Sequence, residues 1–206
     1  MSGIFITATD TEVGKTIVSA ALVKHFRMQG ISCGYMKPIS CGPKKDNDAV
    51  FLKKLLKLKD PLKLINPIAL PYPLSPYAAA KKAGIKLSKS SILKKIRESY
   101  SLLTTHYSLL TIEGVGGALV PITKDYMVAD LIKDLKIPAI IVARAGLGTL
   151  NHTFLTIEAL RKRKIKILGI IMNGYTGKEL SEKSNAKIIQ QIGKIPVLAK
   201  IDWRKN

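Results

Sequence analysis

Gly14, Lys15 and Thr16 stand in a row between a branched and aromatic run, Ile4-Phe5-Ile6-Thr7, and an apolar-periodic stretch over residues 17–29. Read in that order, a strand, a turn and a helix start bring backbone N–H groups and the positive end of a helix dipole onto one anion. Gly14 lets the backbone approach closely, Lys15 adds a full positive charge, and Thr16 presents a hydroxyl where Mg²⁺ would sit. Glu12, Val13 and Ile17 flank these three and are candidate contacts to the same anion-bearing ligand. Thr9 stands where the common phosphate-loop pattern has its first glycine, so the strand before and the helix after carry the assignment.

Other groups with chemistry follow at similar places. Lys37 closes a short strand expected over residues 33–37, just before Pro38. Asp48 follows Asn47 ahead of an apolar run over residues 49–58, which reads as a helix N-cap, and it is also a hard oxygen ligand. Glu113 ends a buried strand over residues 109–112, and Gly114-Val115-Gly116-Gly117 after it leaves the backbone unobstructed, which suits a second Mg²⁺ contact. Asn173-Gly174 closes a strand over residues 165–172; the pair reads first as a turn, and the Asn173 amide is able to meet a purine edge. Residues 146–152 lead into another helix, whose free N–H groups suit a second anion such as a substrate carboxylate. His152 reads as an ordinary helix residue, since no carboxylate or nucleophile is placed beside it.

Strands alternate with helices, which implies an α/β fold with a mostly parallel sheet covered on both faces. Further strands are expected over residues 138–143 and 196–201. Helices are expected over residues 76–83, from residue 88 onward, and over 129–135 and 186–192. Residues 59–77 carry five prolines with little periodicity and read as an irregular excursion. Every candidate group falls at the C-terminal end of a strand, where open α/β sheets collect ligands.

The 206 residues are 47% hydrophobic and suffice for one domain over 1–206 with a full core. The net charge of +20 is spread along the chain as lysine without aromatic interleaving, so it reads as a solvated surface rather than a nucleic-acid or membrane partner. No apolar run reaches membrane-spanning length, no export signal is expected, and the two cysteines, Cys33 and Cys41, build no disulfide framework. These features fit a cytoplasmic protein.

Residues 9–16, Gly34-Tyr35-Met36-Lys37-Pro38, Asn47-Asp48-Ala49, residues 113–117 and Asn151-His152, in that order, resemble the dethiobiotin synthetase family over nearly the whole chain. The resemblance implies a P-loop NTPase-like domain that closes a cyclic urea on 7,8-diaminopelargonate from CO₂ and ATP through a phosphorylated carbamate, in biotin synthesis. It implies Mg²⁺ on Thr16, Asp48 and Glu113. Lys15 and Lys37 would act on the carbamate and the transferred phosphoryl group. Nucleotide contacts are implied along residues 12–17 and at Asp48, Glu113, Gly114, Val115, Gly116, Asn173 and Gly174. Thr11, Lys37, Cys41, Gly116, Leu147 and Asn151 would meet the diamine, in a site shared by two subunits of a homodimer. Ala8 replaces a family glycine, Cys41 a common serine, and Ala199-Lys200-Ile201-Asp202 the usual base-binding pattern. A looser grip on adenine, with other triphosphates serving, is therefore expected. A partitioning or septum-placement ATPase whose nucleotide-switched dimer binds DNA or membrane is the alternative; its phosphate loop needs a lysine at the place of Asp10.

Overall fold

The computed structural model describes residues 3–43, 45 and 47–202; Lys44, in the loop expected after the second strand, lies outside them. The chain opens with β1 (Gly3–Ala8) and α1 (Lys15–Met28), then β2 (Cys33–Met36), β3 (Ile39–Cys41) and α2 (Asp48–Leu55). Next come α3 (Leu62–Ile65), β4 (Ile68–Leu70), α4 (Pro76–Lys82), α5 (Lys89–Leu103) and β5 (Leu109–Glu113). They are followed by β6 (Pro121–Thr123), β7 (Tyr126–Met127), α6 (Val128–Leu135), β8 (Ala139–Arg144) and α7 (Thr149–Lys162), and the series closes with β9 (Ile167–Tyr175), α8 (Leu180–Gly193) and β10 (Val197–Asp202).

Six strands form the central sheet in the order β10-β9-β8-β1-β5-β2, and every neighbouring pair is parallel. A sheet of this kind is buried on both faces, and β1 shows how its sequence meets that demand. Phe5 packs in a cluster with Ile96 of α5, Ile132 of α6, Leu160 of α7 and Ile189 of α8. One residue on, Ile6 points the other way, toward Val18 of α1, with Val142 and Ile171 from neighbouring strands. A third cluster joins Val23 of α1, Tyr35 of β2 and Leu52 of α2. Full burial of side chains of this size stabilises by roughly 1.5–3 kcal/mol each, enough to lock the strand register that places the strand ends. No helix among the described residues is long and apolar enough to cross a membrane.

Two expectations are corrected. Residues 59–77 are not irregular throughout: they hold α3 and β4, and β4 pairs with β3 in a separate two-stranded parallel sheet, Ile39 opposite Ile68 and Cys41 opposite Leu70. The prolines punctuate these short elements, Pro61 as the N-cap of α3 and Pro67 just before β4, where a missing N–H does no harm. The last helix starts at Leu180, not near 186. Its first turn carries Glu182, which accepts from the N–H groups of Thr176 at 2.9 Å and Gly177 at 2.8 Å and so fixes a start that the polar sequence does not announce.

Candidate active site

The phosphate loop is tied at both ends. Thr9 N–H donates to Val142 O at 3.1 Å, and Gly14 caps α1 in the left-handed region with φ 89°. A β-carbon on Gly14 would lie 2.0 Å from Asn173 Nδ2, which itself donates to Val13 O at 2.9 Å, so only glycine fits between loop and β9. Lys15 is the first helical residue and is buried, with its Nζ donating to Asp10 O at 3.1 Å. Burial pulls its pKa down to about 8, with the Lys37 ammonium adding to the effect and Glu113 and Asp48 opposing it. A lysine so desolvated gains most when an anion arrives beside it.

Opposite the loop lies a compact charged cluster. Glu113, at the end of β5, is completely buried, and each carboxylate oxygen is satisfied. Oε1 accepts from Lys37 Nζ at 2.7 Å and Thr16 Oγ1 at 3.0 Å; Oε2 accepts from Tyr35 OH at 2.9 Å. Lys37 Nζ also pairs with Asp48 Oδ2. Burial alone would lower the pKa of the Lys37 ammonium, but Glu113 and Asp48 outweigh it and hold it above the usual lysine value. The ammonium therefore stays charged. Asp48 opens α2, whose N-cap Asn47 accepts from Ala49 N–H at 2.8 Å, and its side chain is 43% exposed, facing the open side of the cluster.

These groups line one cavity of about 1210 Å³. Thr11, Glu12, Gly14, Lys15, Thr16 and Ile17 form the wall from the loop and α1; Lys37, Cys41 and Asp48 form the second wall; Glu113, Val115, Gly116 and Asn173 close the rim. Val13 is buried beneath the loop, and Gly114 gives its N–H to Ile6 O at 2.9 Å, so both support the wall from behind. Gly174, Leu147 and Asn151 do not line this cavity, and Leu147 is 90% exposed. At the start of α7 the Leu147 N–H already donates to Glu179 Oε2 at 3.0 Å, so the anion seat expected there faces a carboxylate of this chain. His152 lies on a second cavity of about 320 Å³ beside Thr9, Asp10 and Leu155. Burial raises the Cys41 thiol to about 11, with Lys37 opposing, so it is a neutral group at the cavity wall.

Among the described residues no group of three or more His, Cys, Asp or Glu is arranged to hold a metal. Thr16 and two carboxylates still suit Mg²⁺, which binds through one or two carboxylates and keeps its other positions for water and phosphates. The ammonium of Lys37 lodged between Asp48 and Glu113 marks the place as one that holds positive charge.

Several groups at or behind the cavity were not expected. Tyr35 is the most consequential: its phenol is fully buried, and burial, with Glu113 beside it, raises its pKa well above the usual value. A buried tyrosine hydroxyl needs a partner, and strand alternation puts Tyr35 on the side that Lys37 continues, which is the signal that could have found it. Pro73, Leu74, Ser75 and Pro76 form a further wall, contributed by the proline-rich excursion, while Lys200, Ile201 and Asp202, from the stretch that replaces the family's base-binding pattern, also line the cavity.

A family model described as an AAA domain matches residues 2–206. The ATP-dependent dethiobiotin synthetase BioD of Endomicrobium trichonymphae is 43% identical, with 99% of this chain and 96% of that protein covered. The protein of the same name from Methanocaldococcus jannaschii is 40% identical over 98% of this chain and 95% of its own. Among solved structures, the septum site-determining protein MinD from Pyrococcus horikoshii, complexed with Mg-ADP, superposes with a TM-score of 0.61 at 18% identity, covering 98% of this chain and 81% of that one. A plasmid partition protein from Borrelia burgdorferi gives 0.60 at 18%, covering 98% and 90%. The two structures share the fold alone, whereas the sequence relatives are similar from end to end, and the chain belongs to the ATP-dependent dethiobiotin synthetase family.

Proposed function

We propose that this chain closes the cyclic urea of dethiobiotin from 7,8-diaminopelargonate, CO₂ and ATP. The observation that carries the reading is the convergence of Lys15, Lys37, Asp48, Glu113 and Thr16 on one cavity, in a chain with end-to-end similarity to enzymes of that name. An amine adds to CO₂ to give a carbamate, the carbamate oxygen takes the γ-phosphoryl group, and the second amine attacks the activated carbon with release of phosphate. Phosphoryl transfer is mostly a matter of positioning and of quenching charge on oxygen. Lys15 and the loop N–H groups hold the phosphates, and Lys37 donates to the carbamate. Thr16, Asp48 and Glu113 would hold Mg²⁺, which would supply positive charge beside the phosphate oxygens.

Thr11, Cys41 and Gly116 supply one side of the diamine seat. Leu147 and Asn151 are exposed and lie off the cavity, which supports a homodimer in which a second copy brings them to the substrate. Exposed Leu119 and Leu155 on the second cavity offer apolar surface for that contact. Lys200, Ile201 and Asp202 on the cavity wall suit a base held by few contacts, so other triphosphates serve beside ATP. For the partitioning-ATPase reading, the fold likeness is the sole support, and Asp10 stands where its extra lysine belongs.

Incubation with 7,8-diaminopelargonate, bicarbonate, Mg²⁺ and ATP, followed by mass detection, should reveal the cyclic urea, with GTP and CTP as parallel arms. Nucleotide hydrolysis without the urea would sink the reading, and turnover confined to ATP would sink the loose-base part of it.

A further inference from the structure

Asn66 sits between α3 and β4, inside the proline-rich excursion, and is only 6% exposed. Its Nδ2 donates to Lys37 O at 2.8 Å and Ile68 O at 3.2 Å; its Oδ1 accepts from Ser40 Oγ at 2.8 Å and Asn47 Nδ2 at 3.1 Å. All four hydrogen-bonding positions of the amide are thus in use. Asn47 also donates to Ser40 Oγ at 3.1 Å while its oxygen caps the helix that begins at Asp48. The peptide around Lys37 is clamped by the same excursion through Lys37 N–H to Ile65 O at 2.8 Å and Ile68 N–H to Pro38 O at 3.2 Å.

Lys37 lies one residue past the end of β2, so the main sheet does not fix it. Asp48 starts a helix that does not belong to the sheet either. Both nevertheless meet at one ammonium–carboxylate contact. We infer that Asn66 is a positioning residue: its buried amide joins the backbone of Lys37 to the N-cap of the helix carrying Asp48, and so sets the distance between them. The excursion over residues 59–77 then has a task, to deliver this amide and, further along, the cavity wall at Pro73 and Leu74. A network of this kind acts as a unit, and its members are separated only by double-mutant cycles. The inference rests on the functional reading above.

The test uses the full chain and two readouts, Mg²⁺·ADP affinity by calorimetry and kcat against KM for the diamine. Asn66→Ala should weaken Mg²⁺·ADP about tenfold, the effect of one lost buried hydrogen-bonding group, and lower kcat more than it changes KM. Combined with Asp48→Ala it should cost no more than about twofold beyond Asp48→Ala alone, because the two act through one geometry. Leu70→Ala removes apolar packing from the same strand, at a residue with no bond to Asn66 or Lys37; it should lower Tm and leave the affinity within about twofold of wild type. Wild-type affinity and kcat in Asn66→Ala, additive losses in the double variant, or equal losses in Leu70→Ala would each overturn the inference. Should Asn66→Ala fail to fold, Ser40→Ala takes out only the hydroxyl between the two amides: an affinity loss of about threefold supports the inference, and none overturns it. If the wild type makes no cyclic urea, the functional reading falls while the affinity cycle still decides the role of Asn66.

Discussion

Two buried carboxylates flank strand β5, and they differ in instructive ways. Glu113, at its C-terminal end, receives Tyr35 OH at 2.9 Å; Asp60, near its N-terminal end, receives Tyr107 OH at 2.6 Å and lies 2.9 Å from His106 Nδ1. Each has a tyrosine hydroxyl and a nitrogen partner, and each is almost excluded from solvent. Glu113 borders the large cavity, which Lys15 and Lys37 also line, whereas Asp60 is not part of it and, through His106 and Tyr107, pins the turn before β5 to the loop after α2. The same local chemistry is thus used once for a site and once for the frame. What separates them is the end of the parallel sheet on which each lies, because only the C-terminal ends open toward the phosphate loop.

The end of the sheet on which a carboxylate lies decides which substitutions reach the chemistry. Lys37→Ala should have the largest effect, a loss of turnover of roughly a thousandfold, the scale seen when a donor to developing charge is removed. It also leaves Glu113 without its cation, and breaking a buried pair costs about 3 kcal/mol or more. Tyr35 and Thr16 still donate to Glu113, so the variant should remain folded with a lower Tm, measured by circular dichroism beside the urea assay. Near-native turnover would remove Lys37 from the chemistry. Tyr35→Phe should have a smaller effect of the same kind: a stability loss of about 1–3 kcal/mol from the unsatisfied carboxylate oxygen, and a raised Mg²⁺ requirement for nucleotide binding. An unchanged Mg²⁺ titration would make Tyr35 a frame residue like Tyr107.

How far the sequence announces this arrangement follows from the range of each interaction. Gly14, Lys15 and Thr16 are adjacent, and Lys37 and Glu113 each end a recognisable strand, so their place at one rim follows from the βα alternation alone. The sheet itself was legible for the same reason: strands β1, β2, β5, β8, β9 and β10 are apolar runs between periodic helices. Tyr35 meets Glu113 across 78 positions, and Asn66 meets Lys37 across 29, and no local pattern encodes such pairs. β4 was missed because three residues carry no usable periodicity; its identity comes from β3 beside it. The stretch holding Leu147 and Asn151 reads from its residues as a helix start suited to an anion, and the family resemblance alone singles out these two side chains; within one subunit the Leu147 N–H is already taken by Glu179.

The smallest effect belongs to the other carboxylate. Burial works to raise the Asp60 pKa, but the Tyr107 hydroxyl and His106 overcome it and hold the carboxyl below its ordinary value. A carboxyl with a depressed folded-state pKa contributes stability that is present above the unfolded value and is lost as pH falls through the folded one. Wild type should therefore lose part of its stability on acidification below about pH 4, and Asp60→Asn should flatten that part of the curve. Tyr107→Phe removes one hydrogen bond and should cost about 1 kcal/mol at neutral pH, a fall in Tm of about 2–4 °C for a chain of this length. Turnover and Mg²⁺·ADP affinity should stay at wild-type values in both variants, since neither residue lines the cavity. If either variant lowered nucleotide affinity as Tyr35→Phe does, the two ends of β5 would be coupled, and the division between site and frame would no longer hold.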